Sequence, residues 1–193
     1  MHPTITLPRA LSRAVRRRRA CSGVTLVELT IAITVMALLL ACSVPAYVQW
    51  MAELKLRNAA HALADSLAVA RSEAIKHGGR ATLCKSADRR RCKTNGGWQA
   101  GWILFLDDNH NGQADPDEVV TRVEPPADQG ITTIGNQPLA DYVSFTALGH
   151  ARLLSGALQI GTFTVCRTGL RAYHVVLAST GRVRVERVPD VCL

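Results

Sequence analysis

The residues best suited to chemistry form a polar stretch in the C-terminal half of the chain. Side-chain oxygens occupy positions one, three, five, nine and twelve of this stretch, at Asp107, Asn109, Asn111, Asp115 and Glu118. Oxygen ligands at this spacing, with a glycine at position six, match the loop that wraps a calcium ion. The flanking residues predict strands instead of the helices of an EF-hand, and Asn and Gly also favour hairpin loops. We therefore favour a structural loop, with a calcium site as the alternative.

A second set of candidate residues consists of basic side chains that could bind phosphate. Arg182 and Arg184 follow Gly181 at alternate positions, so in a strand their side chains lie on the same face. Two guanidinium groups on one face suit phosphate oxygens, although a charged edge strand that resists aggregation gives the same pattern. The other basic residues of this set are Arg187, Arg171, Lys85, Arg89, Arg90 and Arg91.

No enzyme motif accompanies these residues. The sequence lacks G-x-S-x-G, the phosphate-binding P-loop and H-E-x-x-H, and its six histidines are scattered. We therefore expect a protein without catalytic residues, and without a cofactor other than the calcium alternative.

The charge of the chain is distributed unevenly. The formal net charge is +8, but residues 1–23 hold six arginines and no acidic residue, which leaves 17 basic and 15 acidic residues in the rest of the chain. A basic, acid-free N-terminus is typical of a targeting leader. Evidence for a nucleic-acid partner must therefore come from local arginine positions and not from the total charge.

A long apolar segment follows the leader. The twenty-four residues from Leu29 to Ala52 carry no charge, and as a helix they rise about 36 Å, enough to cross a bilayer core of about 30 Å. The preceding arginines predict a single membrane pass with a cytoplasmic N-terminus and a periplasmic domain. Glu28 is costly in lipid, so it requires a cationic partner or an amine released by cleavage after Gly23, unless it reaches interfacial water.

The start of the apolar segment resembles a known processing signal. The residues there are Ser22-Gly23-Val24-Thr25-Leu26-Val27-Glu28, and they resemble the prepilin peptidase signal of type IV pilins and type II secretion pseudopilins. The resemblance implies cleavage after Gly23, methylation of Val24 and a role for Glu28 in subunit assembly. Val24 replaces the phenylalanine that is usual in the family. A lipoprotein site at Cys42 and a signal peptidase site at 44–46 are alternatives, but both place Glu28 inside the apolar core of the signal.

Beyond the membrane segment, the sequence predicts an amphipathic helix that ends at Gly78-Gly79. Its apolar positions recur at steps of three and four, and they are Leu56, Ala60, Leu63, Leu67, Ala70 and Ala74. The stretch 70–75, ARSEAI, is similar to the FimT/GspH branch of minor pilins and pseudopilins. Short alternating runs then predict antiparallel strands at Ala81–Lys85, Trp98–Leu106, Val119–Val123, Ile131–Ile134, Tyr142–Thr146, Thr162–Cys166, Tyr173–Leu177 and Arg182–Glu186.

The resemblance implies an α+β fold of the type IV pilin kind, in which a long N-terminal helix packs on an antiparallel β-sheet domain. Its parts would be a leader at 1–23, a transmembrane and assembly helix at 24–51, and a periplasmic globular domain at 52–193 that includes the amphipathic helix 52–77.

Four cysteines lie in the predicted periplasmic domain, where three disulfide pairings are open to them. We favour the local pairs Cys84–Cys92 and Cys166–Cys192, since the first closes a small basic loop and the second holds the C-terminus. An oxidising periplasm disfavours free thiols, and the cysteine spacings do not match common zinc sites.

The arginine element also resembles a family feature. Gly181-Arg182-Val183-Arg184 resembles the GRxR element of FimT-type minor pilins, which is implicated in DNA binding during natural transformation. We therefore expect a minor type IV pilin that binds extracellular double-stranded DNA without sequence preference. Its other partners would be prepilin peptidase, the inner membrane and other pilin subunits, and its final location the pilus filament or tip. The alternative is a structural pseudopilin of a type II secretion system without DNA binding.

Overall fold

The computed structural model describes residues 23–193, so the predicted leader lies outside the described residues except for Gly23. The chain divides into two units, Met1–Pro45 and Ala46–Leu193, and each is described by itself. Helix α1, Leu26–His77, contributes residues to both units.

In the first unit, α1 begins with a side-chain cap. The hydroxyl of Thr25 accepts the main-chain N–H of Glu28 at 3.2 Å, which satisfies a donor that the first helical turn leaves without a main-chain partner. The helix is long and apolar enough to cross a membrane, and its most apolar stretch has no buried residue. The prediction of a transmembrane segment at 24–51 rests on this length and composition.

In the second unit, residues 46–193 form eight strands in addition to the C-terminal part of α1. The strands are β1 Ala81–Lys85, β2 Trp102–Leu106, β3 Val120–Glu124, β4 Ile131–Gly135, β5 Tyr142–Phe145, β6 Gly161–Arg167, β7 Arg171–Leu177 and β8 Val183–Val191. They form two four-stranded antiparallel sheets, with the order β3-β2-β1-β5 in the first sheet and β4-β6-β7-β8 in the second. Antiparallel β structure was expected, and the structure divides it between two sheets.

One apolar core joins the helix and both sheets. All six predicted apolar positions of the helix, from Leu56 to Ala74, are fully buried. They belong to one cluster with Leu83 and Phe145 of the first sheet and Phe163 of the second. The prediction of an amphipathic helix that packs on a β domain is therefore confirmed, because the 3.6-residue period correctly identified the buried face.

Two strand boundaries differ from the predictions by more than two residues. The predicted strand Trp98–Leu106 is interrupted, because Trp98–Ala100 is a 3-10 turn and Gly101 has a φ of 98°. A Cβ at Gly101 would lie 2.6 Å from the carbonyl oxygen of Glu124, so only glycine fits there without displacement of the main chain. Strand β8 continues beyond its predicted end at Glu186, because two hydrogen bonds hold the chain end beside the start of β7. Cys192 N–H donates to the Leu170 carbonyl at 2.9 Å, and Gly169 N–H donates to the Cys192 carbonyl at 3.0 Å.

Leu63→Ala should lower the free energy of unfolding by about 2–5 kcal/mol, because it leaves a cavity in the shared core. Leu148→Ala is the matched control, since Leu148 is 76% exposed and its loss should cost less than about 0.5 kcal/mol. Denaturant unfolding of the full chain in detergent micelles, followed by tryptophan fluorescence, measures both. Equal losses for the two variants would contradict a core centred on the helix.

Candidate functional site

Arg182 and Arg184 lie at the hairpin that joins β7 to β8. The turn is closed by hydrogen bonds from Gly181 N–H to the Ala178 carbonyl and from Ala178 N–H to the Arg182 carbonyl, each 2.9 Å long. Arg184 stands opposite Val176 in the strand register. Arg182, Arg184, Val176 and Ala178 line one open cavity of about 210 Å³. The two guanidinium groups therefore share the face of the second sheet that is turned away from the core.

We name residues 178–184 the arginine turn. Its glycine is required by a close approach of two main-chain segments. Gly181 has a φ of 77°, and a Cβ there would collide with the carbonyl oxygen of Gly149 and lie 3.0 Å from Cδ of Arg71. The loop at residue 149 and the C-terminal part of α1, through Arg71, thus pack directly against the arginine turn. A side chain at position 181 would displace them.

Arg71 is a further basic residue beside this turn, and it is not among the basic residues predicted to bind phosphate. Its Nε is buried and has no hydrogen-bond partner among the described residues. The sequence showed Arg71 only as part of the ARSEAI stretch. Its contact with Gly181 joins residues far apart in the chain, and no local pattern in a single sequence reports such a contact.

The two arginines of the turn differ in their electrostatic partners. Arg184 Nε lies 2.8 Å from Glu186 Oε1, and both side chains are about half exposed, so solvent screens this ion pair. Arg182 is exposed and makes no ion pair within residues 23–193. The arginine turn therefore presents the guanidinium of Arg182, which has no ion-pair partner among the described residues, and that of Arg184, whose charge Glu186 offsets only weakly.

Arg187 and Arg171 lie apart from the arginine turn. Arg187 stands opposite the core residue Tyr173 and pairs with Glu53 of α1 at 3.0 Å, so it occupies the inner face of β8. Tyr173 donates its hydroxyl to the same Glu53 carboxylate at 2.9 Å, and burial, followed by this hydrogen bond, raises the pKa of Tyr173. Arg171 begins β7 and stands opposite Val191, at the other end of the hairpin.

Lys85 cannot serve as a phosphate ligand in this fold. The residue is only 4% exposed. Its Nζ donates to the carbonyl oxygens of Thr94 and Gly96, each at 2.9 Å, and forms an ion pair with Asp141 at 2.8 Å. All three ammonium donors are therefore used, and the prediction that Lys85 binds phosphate is wrong. The sequence correctly placed Lys85 at the end of a strand, but the acceptors that surround its ammonium group come from other parts of the chain.

Arg89, Arg90 and Arg91 form a separate basic loop. The loop is closed by the Cys84–Cys92 disulfide, and all three arginines are exposed. The main-chain N–H groups of Arg90 and Arg91 donate to Asp88 Oδ1 at 3.0 Å. The loop leaves β1 at its C-terminal end. The arginine turn lies nearer the N-terminal end of β1. Ala151 donates a hydrogen bond to the carbonyl of Ser179 in the turn and forms a β-bridge with Phe145. Phe145 in turn pairs with Ala81, the first residue of β1.

The second disulfide joins Cys166 to Cys192 and fixes the end of the chain to β6. Both pairs are the local ones expected from the sequence. Of the cysteines in the described part of the chain, Cys42 is free and exposed, within the apolar part of α1.

The polar stretch 107–118, named the acidic loop, connects β2 to β3. Asp107 follows β2 directly and is fully buried, while Glu118 precedes β3 and is partly buried. Within residues 23–193, no three side chains of His, Cys, Asp or Glu cluster as a metal site. A cation in the acidic loop would therefore need amide and main-chain oxygens in addition to carboxylates.

The predicted processing residues stand just before and within the first helical turn. Gly23 and Val24 precede the helix, whereas Glu28 lies in its first turn with its side chain exposed. Thr25 and Glu28 have the spacing of a capping box, and the hydrogen bond between them uses the main-chain N–H of Glu28 and not its carboxylate.

Comparison with known proteins identifies a family. The family model described as Type II transport protein GspH matches residues 59–181, and the prokaryotic N-terminal methylation motif matches residues 18–41. No curated protein matches the sequence. The fold is similar to the type IV minor pilin FimU of Pseudomonas aeruginosa, with a TM-score of 0.54, 20% identity, and coverage of 68% of this chain and 87% of that chain. The predicted pilin-like α+β fold is thereby confirmed.

A second solved structure with detectable similarity is the minor pseudopilin EpsH from the type 2 secretion system of Vibrio cholerae. The TM-score is 0.48 and the identity 13%, over 70% of this chain and 99% of that chain.

The Asp88 carboxyl should titrate with a midpoint of about 2 instead of 3.8, because main-chain hydrogen bonds from Arg91 and Arg90 stabilise its charged form. Because the closed loop lowers the pKa of Asp88, the charged carboxylate stabilises the loop above pH 3.8. This stabilisation is lost as the pH falls toward 2. Carbon NMR of the labelled carboxyl measures the midpoint. Opening the loop with Cys84→Ser plus Cys92→Ser should return it toward 3.8, and an unshifted wild-type midpoint would contradict the two bonds.

Proposed function

The chain belongs to the family of the type II transport protein GspH, and from this premise we propose that it is a minor type IV pilin whose globular domain binds double-stranded DNA. The observation that carries the proposal is the placement of Arg182 and Arg184 on one exposed face, beside a turn whose main chain is sterically fixed. The family itself consists of minor pilins and pseudopilins.

The arginine turn suits phosphate recognition for a physical reason. Arg182 directly precedes β8 and Arg184 lies within it. Alternate residues of an extended chain are about 7 Å apart along the chain, so both guanidinium groups can reach the phosphates of one duplex. Arginine binds phosphate oxygens through paired N–H groups. Such contacts carry no sequence information, so we expect binding without sequence preference.

The basic loop at Arg89, Arg90 and Arg91 would add a second, separate contact on a longer duplex. All three side chains are exposed, and Asp88 binds the loop's main chain without occupying their guanidinium groups. Arg171 and Arg187 would contribute mainly through their charge, because they lie away from the arginine turn.

The cellular role that follows is uptake of extracellular DNA in natural transformation, together with pilus assembly. The chain would enter the inner membrane as a single-pass protein with a periplasmic domain, be cleaved by prepilin peptidase and join other pilin subunits. The methylation motif and the apolar start of α1 support this route.

A structural pseudopilin of a type II secretion system is the second candidate. The description of the matching family, a type II transport protein, favours it. Its partners would be proteins alone, so DNA binding distinguishes the two candidates.

Arg182→Ala plus Arg184→Ala should abolish the gel shift of a short duplex by the full processed chain in detergent micelles. At lower salt, where residual binding can still be measured, two lost phosphate contacts should reduce the steepness of log affinity against log salt by about 2. The matched control is Arg57→Ala plus Lys76→Ala, which removes the same charge from exposed positions on α1. Unchanged binding by the turn variant, or equal loss in both variants, would refute the proposed site.

Intact-mass and N-terminal peptide analysis should find a mature chain that begins with N-methylated Val24. Glu28→Gln should leave cleavage intact but reduce incorporation into filaments, because it removes the carboxylate expected to pair with a neighbouring N-terminus. A lipid on Cys42 would instead identify a lipoprotein and contradict the pilin route.

A further inference from the structure

The acidic loop is folded against the first sheet. Ala114, near its middle, packs on a second buried apolar cluster formed by Cys84, Ile103 and Phe105. These side chains belong to strands β1 and β2 and occupy the face opposite the shared core. The loop therefore covers part of a sheet face, and the carboxylates at its two ends, Asp107 and Glu118, are withdrawn from water fully and partly.

Asp107 has an unsatisfied oxygen inside this loop. The residue is fully buried. Its Oδ2 accepts from the hydroxyl of Thr82 at 2.8 Å and from the N–H of Gly112 at 3.2 Å, so the carboxylate is turned toward the glycine of the loop. Its Oδ1 is buried and has no hydrogen-bond partner among the described residues. A buried carboxylate oxygen without a partner is unfavourable, and a bound cation would remove this cost.

The surroundings of Asp107 are otherwise well paired. Arg80 donates to the hydroxyl of Ser144 at 2.9 Å, and that hydroxyl lies 2.9 Å from the hydroxyl of Thr82, which donates to Asp107. A continuous chain of hydrogen bonds thus reaches Oδ2 and ends there. The other oxygen of the same carboxylate, Oδ1, takes no part in this chain of hydrogen bonds.

The two asparagines of the loop converge on Asp115. Their side-chain N–H groups each donate to Asp115 Oδ2 at 2.7 Å. Their amide oxygens accept the N–H groups of Asn111 and Gln113, at 3.0 and 2.6 Å, and each oxygen keeps a second lone pair. Side chains at positions three, five and nine are therefore drawn together over one short segment.

Glu118 closes the loop from its other end. One carboxylate oxygen accepts the N–H of Asp108 and the other accepts the N–H of Asp115, each at 3.1 Å. The loop therefore carries a carboxylate at its first position and another at its twelfth, and a divalent cation bound by both would be attracted to each of them.

We propose that the acidic loop binds one calcium ion through Asp107, Asn109, Asn111 and Glu118, with the main-chain carbonyl of Gln113 at position seven. Asp115, at position nine, would act through a water molecule. All of these ligands are oxygens, which suits a hard cation and disfavours zinc. Six or seven ligands in a flexible loop favour calcium over the smaller magnesium ion. The bound ion would fasten the β2–β3 connection to the first sheet, and this inference does not depend on DNA binding.

The test is calcium titration of the full chain in detergent micelles after removal of metal by a chelator. Calorimetry should give a Kd of about 10⁻⁴ to 10⁻³ M, the range of extracellular calcium modules, and saturating calcium chloride should raise the thermal unfolding midpoint. Magnesium chloride at the same concentration should produce a much smaller shift. No heat and no shift with calcium, or an equal shift with magnesium, would overturn the proposal.

Glu118→Gln should weaken calcium binding about tenfold or more, because affinity depends on the number of charged ligands. Asp117→Asn is the matched control, since it removes one charge from the same loop at position eleven, outside the ligand pattern. Asn109→Ala is a second ligand variant at an exposed position and should also weaken binding. Equal affinities for Glu118→Gln and Asp117→Asn would show that calcium only screens the acidic surface and would refute the site.

Discussion

The apolar stripe of α1, from Leu56 to Ala74, is the surface on which both sheets depend. Both four-stranded sheets contribute their inner residues to the apolar cluster that the helix completes. Burial of each leucine of the stripe contributes about 1.5–3 kcal/mol. The alanines matter differently, because their small size lets strand side chains approach the helix main chain closely. The positions of the arginine turn and the acidic loop follow from this packing.

Much of the fold was accessible from the sequence, because its signals are local. Period 3.6 identified the buried face of α1, and alternating apolar runs located all eight strands within a few residues. The errors arose where a distant contact decides the outcome. Gly101 ends the turn before β2 because Glu124 passes close to it, and Lys85 is buried because Thr94, Gly96 and Asp141 supply acceptors.

The candidate sites also combine features that a local sequence pattern predicts with features that depend on distant contacts. The alternation of side chains along a strand correctly placed Arg182 and Arg184 on one face. The same alternation places Arg187 on the other face, but the predicted strand ended at Glu186 and did not include Arg187. No local pattern could show that Arg71 supports the arginine turn. The loop spacing suggested a calcium ligand set, but the orphan oxygen of Asp107 depends on its hydrogen bond to Thr82 in another strand.

The cap formed by Thr25 has a consequence for proteolysis. Helix α1 begins at Leu26, so the Gly23–Val24 peptide bond lies outside the helical hydrogen bonds. A peptidase requires its substrate in an extended form, and this bond can enter an active site while the first helical turn stays intact. Cleavage at this bond, as proposed above, would leave Thr25 as the second residue of the mature chain, so the new N-terminus would begin with a helix end that is already capped.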